Sequence, residues 1–202
     1  VKLFYAPGTC SLSPHIVLRE IGASFELEQV DTRAGRTAGG ADYAAINPKG
    51  YVPALRLDDG QVLTEGAAIV QLLADRYPEH ELAPVPGTLA RVRLQEQLAF
   101  IGAELHKAFG PLFDPTAEEA ARAKAAAKVR HRLGDAERQL ADGRPYTMGE
   151  RISVADAYLY AVLRWAGPTG IGLDGWPRLA AFVERMGARP AVRAALQAEG
   201  LA

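Results

Sequence analysis

The chain contains one cysteine, Cys10, in 202 residues. A single thiol excludes an internal disulfide, and a reducing compartment is the expected setting. There is no Cys-x-x-Cys pair, so thiol chemistry would lack an internal resolving partner. With one cysteine and four scattered histidines, nothing has metal-ligand spacing, and no metal is expected. Charge of one sign is not concentrated: 23 Lys and Arg stand against 24 Asp and Glu, for a formal net charge of −1. Nucleic acid is therefore excluded as the main partner, because phosphate binding needs a concentrated basic face. No apolar run approaches the roughly 18 to 20 residues that span a bilayer, so no membrane segment is expected. The opening Val1-Lys2-Leu3-Phe4-Tyr5-Ala6-Pro7 is broken too early for a secretory signal, and the predicted location is the cytoplasm.

What is present is enough chain to bury a substantial core, as one large domain or two small ones. The first 77 residues alternate short strands and helices: a strand over 2–5, a helix from Ser13 and Pro14 to Gly22, and a strand over 25–30. Residues 33–43 are too glycine-rich for an assignment. Ala54–Leu57 and Val62–Thr64 flank Asp58-Asp59-Gly60-Gln61, a turn that closes antiparallel hairpins, and an apolar helix follows. The order is βαβ, then ββα. The proline-rich stretch 78–88 reads as a linker, and 89–202 as an all-helical domain. In it, Leu94, Leu98, Ile101 and Leu105 form one helical face. Thr116 to Glu119 reads as a capping box opening a helix through about Leu140, and Ser153 with Asp156 as a second box. That Ser-x-x-Asp pattern is assigned to folding and not to chemistry. Two further helices are expected over 176–186 and 191–200.

The densest chemical signal lies between 47 and 73. Pro53 precedes a strand, where its missing N–H belongs at a strand start or edge. A cis bond there, which X-Pro alone readily permits, would turn the Val52 N–H and C=O outward to pair with an extended peptide. Glu65 offers a carboxylate to an ammonium, and Gly66 opens a helix whose N-terminus suits a carboxylate. Together these residues describe a site for a small zwitterionic peptide.

This pattern resembles the glutathione-binding half of the glutathione S-transferases. Lys2-Leu3-Phe4-Tyr5-Ala6-Pro7-Gly8-Thr9-Cys10-Ser11-Leu12-Ser13 narrows the resemblance to the bacterial beta class, which carries a cysteine at this place. Glu104-Leu105-His106-Lys107, Ser153 to Tyr158 and Arg189-Pro190-Ala191-Val192 agree, so the resemblance covers the whole chain. It implies a thioredoxin-like domain followed by an all-helical domain that supplies the electrophile site. It also implies a homodimer, with glutathione as co-substrate. Cys10 is expected to contact the glutathione sulfur or to form a mixed disulfide with it. The class places the pair His106 and Lys107 at the active-site cleft, His106 toward Cys10 or the ligand and Lys107 toward a ligand carboxylate. Tyr5 is the tyrosine that other classes use, competing here with core packing, and Ser11 is a neighbouring hydroxyl.

Three positions depart from the family pattern. A lysine near position 35 is replaced by Gly35, flanked by Arg33 and Arg36 as candidate substitutes. An asparagine at 99 is replaced by Ala99. Gly66 lacks the hydroxyl of many relatives.

Activation of a thiol has a limited effect on rate. A thiol of pKa about 8.5 is about 3% thiolate at pH 7, and one of about 6.5 is about 75% thiolate. Nucleophilicity falls with pKa at a Brønsted slope of about 0.4 to 0.5, leaving a net gain of only about 3-fold. Positioning of the sulfur must therefore supply most of the rate. The leading expectation is transfer of glutathione to small apolar electrophiles. The alternatives are a glutathione-dependent thiol–disulfide reductase or dehalogenase using Cys10, and a non-catalytic binding protein.

Overall fold

Lys2–Tyr5 forms β1 in a computed structural model that describes residues 1–201, so the last residue of the predicted helical domain lies outside the described residues. Leu3, Phe4 and Tyr5 are all buried, because β1 sits in the middle of a five-stranded sheet covered on both faces. The strand order is β3-β2-β1-β4-β5, with β2 at Glu26–Asp31, β3 at Arg36–Thr37, β4 at Ala54–Arg56 and β5 at Val62–Thr64. β1 and β2 are parallel, with Leu3 opposite Leu27, and every other pair is antiparallel. A parallel pair needs a crossover, which α1 (Leu12–Glu20) supplies. The β4–β5 hairpin closes at Gly60, whose φ of +86° suits a residue without Cβ. α2 (Gly66–Arg76) follows and buries Ile69, Val70 and Leu73.

Several boundaries differ from the sequence expectation. α1 begins at Leu12, with Ser11 at the N-cap, and not after Ser13. Ser13 instead turns its hydroxyl back to the Cys10 carbonyl at 3.0 Å. The unassigned stretch 33–43 holds the two-residue strand β3 and ends at a 3-10 turn over Tyr43–Ala45. Asp42 caps that turn through the Ala44 N–H. Tyr43 anchors it by packing with Phe4, Val30, Val52 and Ala54.

The chain divides into two compact units. The first comprises Val1–Ala83 together with the residues from Gly187 onward, and the second Pro84–Met186. The expected helical domain ran unbroken to the end of the chain, whereas α8 (Pro190–Ala198) packs with the sheet unit. Specific polar contacts hold it there: Arg189 Nε donates to Glu20 Oε1 at 2.6 Å, and His15 meets Glu199. Linear periodicity cannot report either pairing.

In the second unit, α3 (Leu89–Ala99) opens at Thr88, whose hydroxyl accepts the Arg91 N–H. Leu94, Leu98, Ile101 and Leu105 are buried as expected. From Phe100 to His106, however, the helix widens into a π segment. α4 (Gly110–Phe113) is a single turn. α5 (Glu119–Gln139) starts after Glu118, and Thr116 closes a local turn on Asp114 in place of the expected capping box. α6 (Val154–Leu163) is buried along its length and carries the expected box: Asp156 accepts from the Ser153 N–H and hydroxyl at 2.7 and 2.8 Å. The Glu137 carboxylate caps α7 (Pro177–Gly187) by accepting the Arg178 and Leu179 N–H groups. Among the described residues, no helix is long and apolar enough to cross a membrane.

Candidate active site

In the first unit, Cys10 lies in the loop between β1 and α1, one residue before the N-cap, and is partly accessible. The loop is tied to itself. Ser11 Oγ donates to the Ala6 carbonyl at 3.1 Å, accepts the Ala6 N–H at 3.2 Å, and lies 2.8 Å from Thr9 Oγ1. Ser11 is fully buried, so its hydroxyl belongs to the loop's own scaffold. Cys10 points its sulfur at the Val52 carbonyl, 3.5 Å away. The Val52–Pro53 bond is cis. The Val52 N–H has no hydrogen-bond partner among the described residues, a vacant main-chain donor of the kind an extended peptide fills.

Glu65 stands at the N-terminus of α2 with φ of +69°, a conformation that L residues seldom adopt. Such backbone persists where its surroundings over-determine it, and it clusters at ligand sites. Gly66 follows at the first helical position. A Cβ there would meet Pro53 Cγ and Ser13 Oγ at 3.6 Å, ordinary contact distances, so a larger residue would fit. Sequence reasoning missed what surrounds the Glu65 carboxylate. Lys49 Nζ donates to Glu65 Oε1 and to Thr64 Oγ1, each at 3.1 Å, and Tyr51 donates to the same Oε1 at 2.5 Å. The bond to Glu65 is the largest influence on both partners, raising the Tyr51 hydroxyl and the Lys49 ammonium above their ordinary pKa. Lys49 and Tyr51 lie in the run Asn47-Pro48-Lys49-Gly50-Tyr51, but only folding of the hairpin brings them to Glu65.

Tyr5 ends β1 almost fully buried, its ring 6.2 Å from that of His15. Burial, with the Glu199 charge second, raises its hydroxyl above the ordinary value. Arg33 lies on the exposed turn before β3, and Arg36 opens β3, exposed, where its guanidinium donates to the Gly40 carbonyl at 3.2 Å.

In the second unit, His106 ends the π segment, and its Nδ1 is 2.8 Å from the Tyr158 hydroxyl. Its ring is edge-on to Tyr158 at 6.0 Å and to Trp165 at 4.8 Å. Phe109 and Phe113 stack at 6.4 Å, each perpendicular to Trp165. Burial, then the adjacent Lys107 charge, lowers His106 to about 4. The ring is therefore neutral at physiological pH. Among the described residues no group of three metal-type side chains converges.

A mixed thioredoxin-like sheet with a cysteine loop facing a Val-Pro turn, joined in one chain to a helical unit, is the architecture of the glutathione S-transferases. Residues 8–76 match the model of the glutathione S-transferase N-terminal domain, and residues 100–190 that of the C-terminal domain. Over the full length of both proteins, the chain is 47% identical to glutathione S-transferase GstA of Escherichia coli O157:H7. A solved sphingomonad glutathione S-transferase complexed with glutathione is 48% identical, with a TM-score of 0.96 and full coverage of both chains. A bacterial beta class enzyme of Sphingomonas chungbukensis is 46% identical, with a TM-score of 0.97 and full coverage of both chains. The chain belongs to the glutathione S-transferase family.

Proposed function

We propose that this protein transfers the thiolate sulfur of glutathione to small apolar electrophiles. The observation that carries the reading is the first-unit cluster, with Cys10 Sγ 3.5 Å from the Val52 carbonyl beside the vacant Val52 N–H. In this reading the Val52 N–H and C=O pair with the cysteinyl backbone of glutathione. Glu65 takes the ligand ammonium and the Gly66 N–H a ligand carboxylate. Cys10 then lies at the glutathione sulfur, as a contact or as the partner in a mixed disulfide. His106 offers a polar group to the reaction and Lys107 a charge to a ligand carboxylate. Arg33 or Arg36 serves where relatives have a lysine. Phe113 offers an exposed aromatic ring to the electrophile, backed by the buried Trp165 and Phe109. The protein acts as a homodimer in a bacterial cytoplasm, in detoxification.

The test is glutathione consumption with an activated aryl halide, against the protein-free rate at the same pH. A saturable rate above background supports transfer, and a rate equal to background overturns it. The partial exposure of Cys10 supports a second reading, thiol–disulfide exchange at Cys10 itself. Cys10→Ala separates the two, because exchange needs the sulfur and conjugation by bound glutathione does not.

A further inference from the structure

We propose that Tyr158 is a positioning residue that holds His106 in the tautomer with its proton on Nε2, so that His106 serves as a hydrogen-bond donor to an anion and not as a proton acceptor. The inference rests on the reading above, in which His106 offers a polar group to the reaction. The tyrosine hydroxyl is 2.8 Å from Nδ1, within normal hydrogen-bond range. Either atom can in principle donate. A phenol O–H is a much stronger acid than a neutral imidazole N–H, and an imidazole lone pair a much stronger base than a phenol oxygen. The bond that uses the better donor and the better acceptor is O–H···Nδ1, and it forces the remaining ring proton onto Nε2.

The surroundings fix this geometry. Tyr158 lies on α6, the most apolar helix, and is itself buried. Its hydroxyl lies over the π segment at Gly102, where a Cβ would stand 3.4 Å from it. Trp165, edge-on at 4.8 Å, restrains rotation of the imidazole. Nε2 has no partner among the described residues and is not sealed from solvent, so its N–H is available. The depressed His106 pKa agrees, since a neutral ring carries one proton whose place is decided by the Tyr158 bond. The π turn belongs to the same device, because such turns reset helical phase and concentrate at functional positions.

The test is a long-range proton–nitrogen correlation spectrum of histidine-labelled protein near neutral pH, with the His106 signals assigned by their loss in His106→Gln. The expected spectrum has Nδ1 unprotonated and Nε2 protonated; the opposite pattern overturns the inference whatever the fate of any variant. In Tyr158→Phe the two nitrogens should move toward averaged positions, and kcat for conjugation should fall about tenfold, the value of one hydrogen bond, with glutathione KM nearly unchanged. An unaltered tautomer in Tyr158→Phe also overturns it. If the tautomer behaves as expected while His106→Gln conjugates at the wild-type rate, the role of His106 in the proposed reaction falls and the control by Tyr158 stands.

Discussion

His15 Nδ1 and Glu199 Oε1 are 2.8 Å apart, both side chains fully enclosed, and they join α1 to the segment that follows α8. The other carboxylate oxygen, Oε2, accepts the Gly8 N–H at 3.0 Å, two residues before Cys10. A residue near the end of the sequence thus fixes the loop that carries the thiol. The pair separates function from scaffold: His15 is a buried structural histidine, with Nε2 lacking a partner among the described residues.

Glu199→Ala should therefore be costly. Breaking a buried pair by removing one partner typically costs about 3 to 5 kcal/mol, because the remaining polar groups stay buried without compensation. A urea unfolding curve measures it. A loss below about 1 kcal/mol would show that the loop and α8 do not depend on the carboxylate.

Asp156→Ala should destabilise without weakening glutathione. The carboxylate accepts three bonds, from the Thr147 N–H, the Ser153 N–H and the Ser153 hydroxyl, and is fully buried. The expected loss is at or above the roughly 1 to 2 kcal/mol of an ordinary cap, since Thr147 is orphaned as well. Glutathione affinity of the folded variant should match the wild type; a selective affinity loss would count against a purely structural role.

Stability should fall in mild acid through His106. Its ordinary value is 6.5 and burial lowers it to about 4 in the folded chain. Between those values the unfolded chain binds a proton that the folded chain refuses, so stability rises with pH in this window. The contribution is complete above about 6.5 and lost as pH falls through about 4, on the order of 3 kcal/mol at most. Denaturant midpoints of wild type and His106→Gln, compared from neutral pH to about 4, isolate it, and the variant should show the smaller decline. Equal declines would place the acid sensitivity elsewhere.

Lys49→Met should tighten glutathione. Lys49 occupies the carboxylate proposed to receive the ligand ammonium, so the ligand must displace it. The pair is half-exposed and solvent-screened, so the gain is at most about fivefold in KM. It should shrink as salt is added, because exposed charges are screened. A rise in KM would show instead that Lys49 helps hold the ligand.

Oxidised glutathione should add one glutathione to Cys10. The Cys10 thiolate attacks the disulfide, one glutathione thiolate leaves, and a second glutathione reverses the step. Intact mass after treatment reads the adduct directly. An unmodified native protein, or an adduct retained by Cys10→Ala, would exclude it.

Much of this was legible along the chain. β1 and β5 fall where the apolar runs and the turn at Gly60 place them, and the Ser153–Asp156 box is where local spacing puts it. Cys10, Val52, Pro53 and Glu65 stand out in sequence because each carries a local signature: a thiol before a helix, an X-Pro bond at a strand start, an acid at a helix N-terminus. Such signals depend on neighbours a few residues away, which is the range over which sequence patterns act.

What the sequence alone determined is therefore the main strands and helices outside 33–43, the single-thiol chemistry and the Ser153–Asp156 cap. Tertiary structure decided the rest. It chose α8 as a companion of the sheet through Glu199 and Arg189, and filled the Glu65 carboxylate with Lys49 and Tyr51. It widened the helix before His106 and set Tyr158 against its ring. Each of these joins side chains far apart in sequence or changes helical phase without changing the apolar spacing. Their energies come from burial and hydrogen-bond satisfaction in three dimensions, which no linear period encodes.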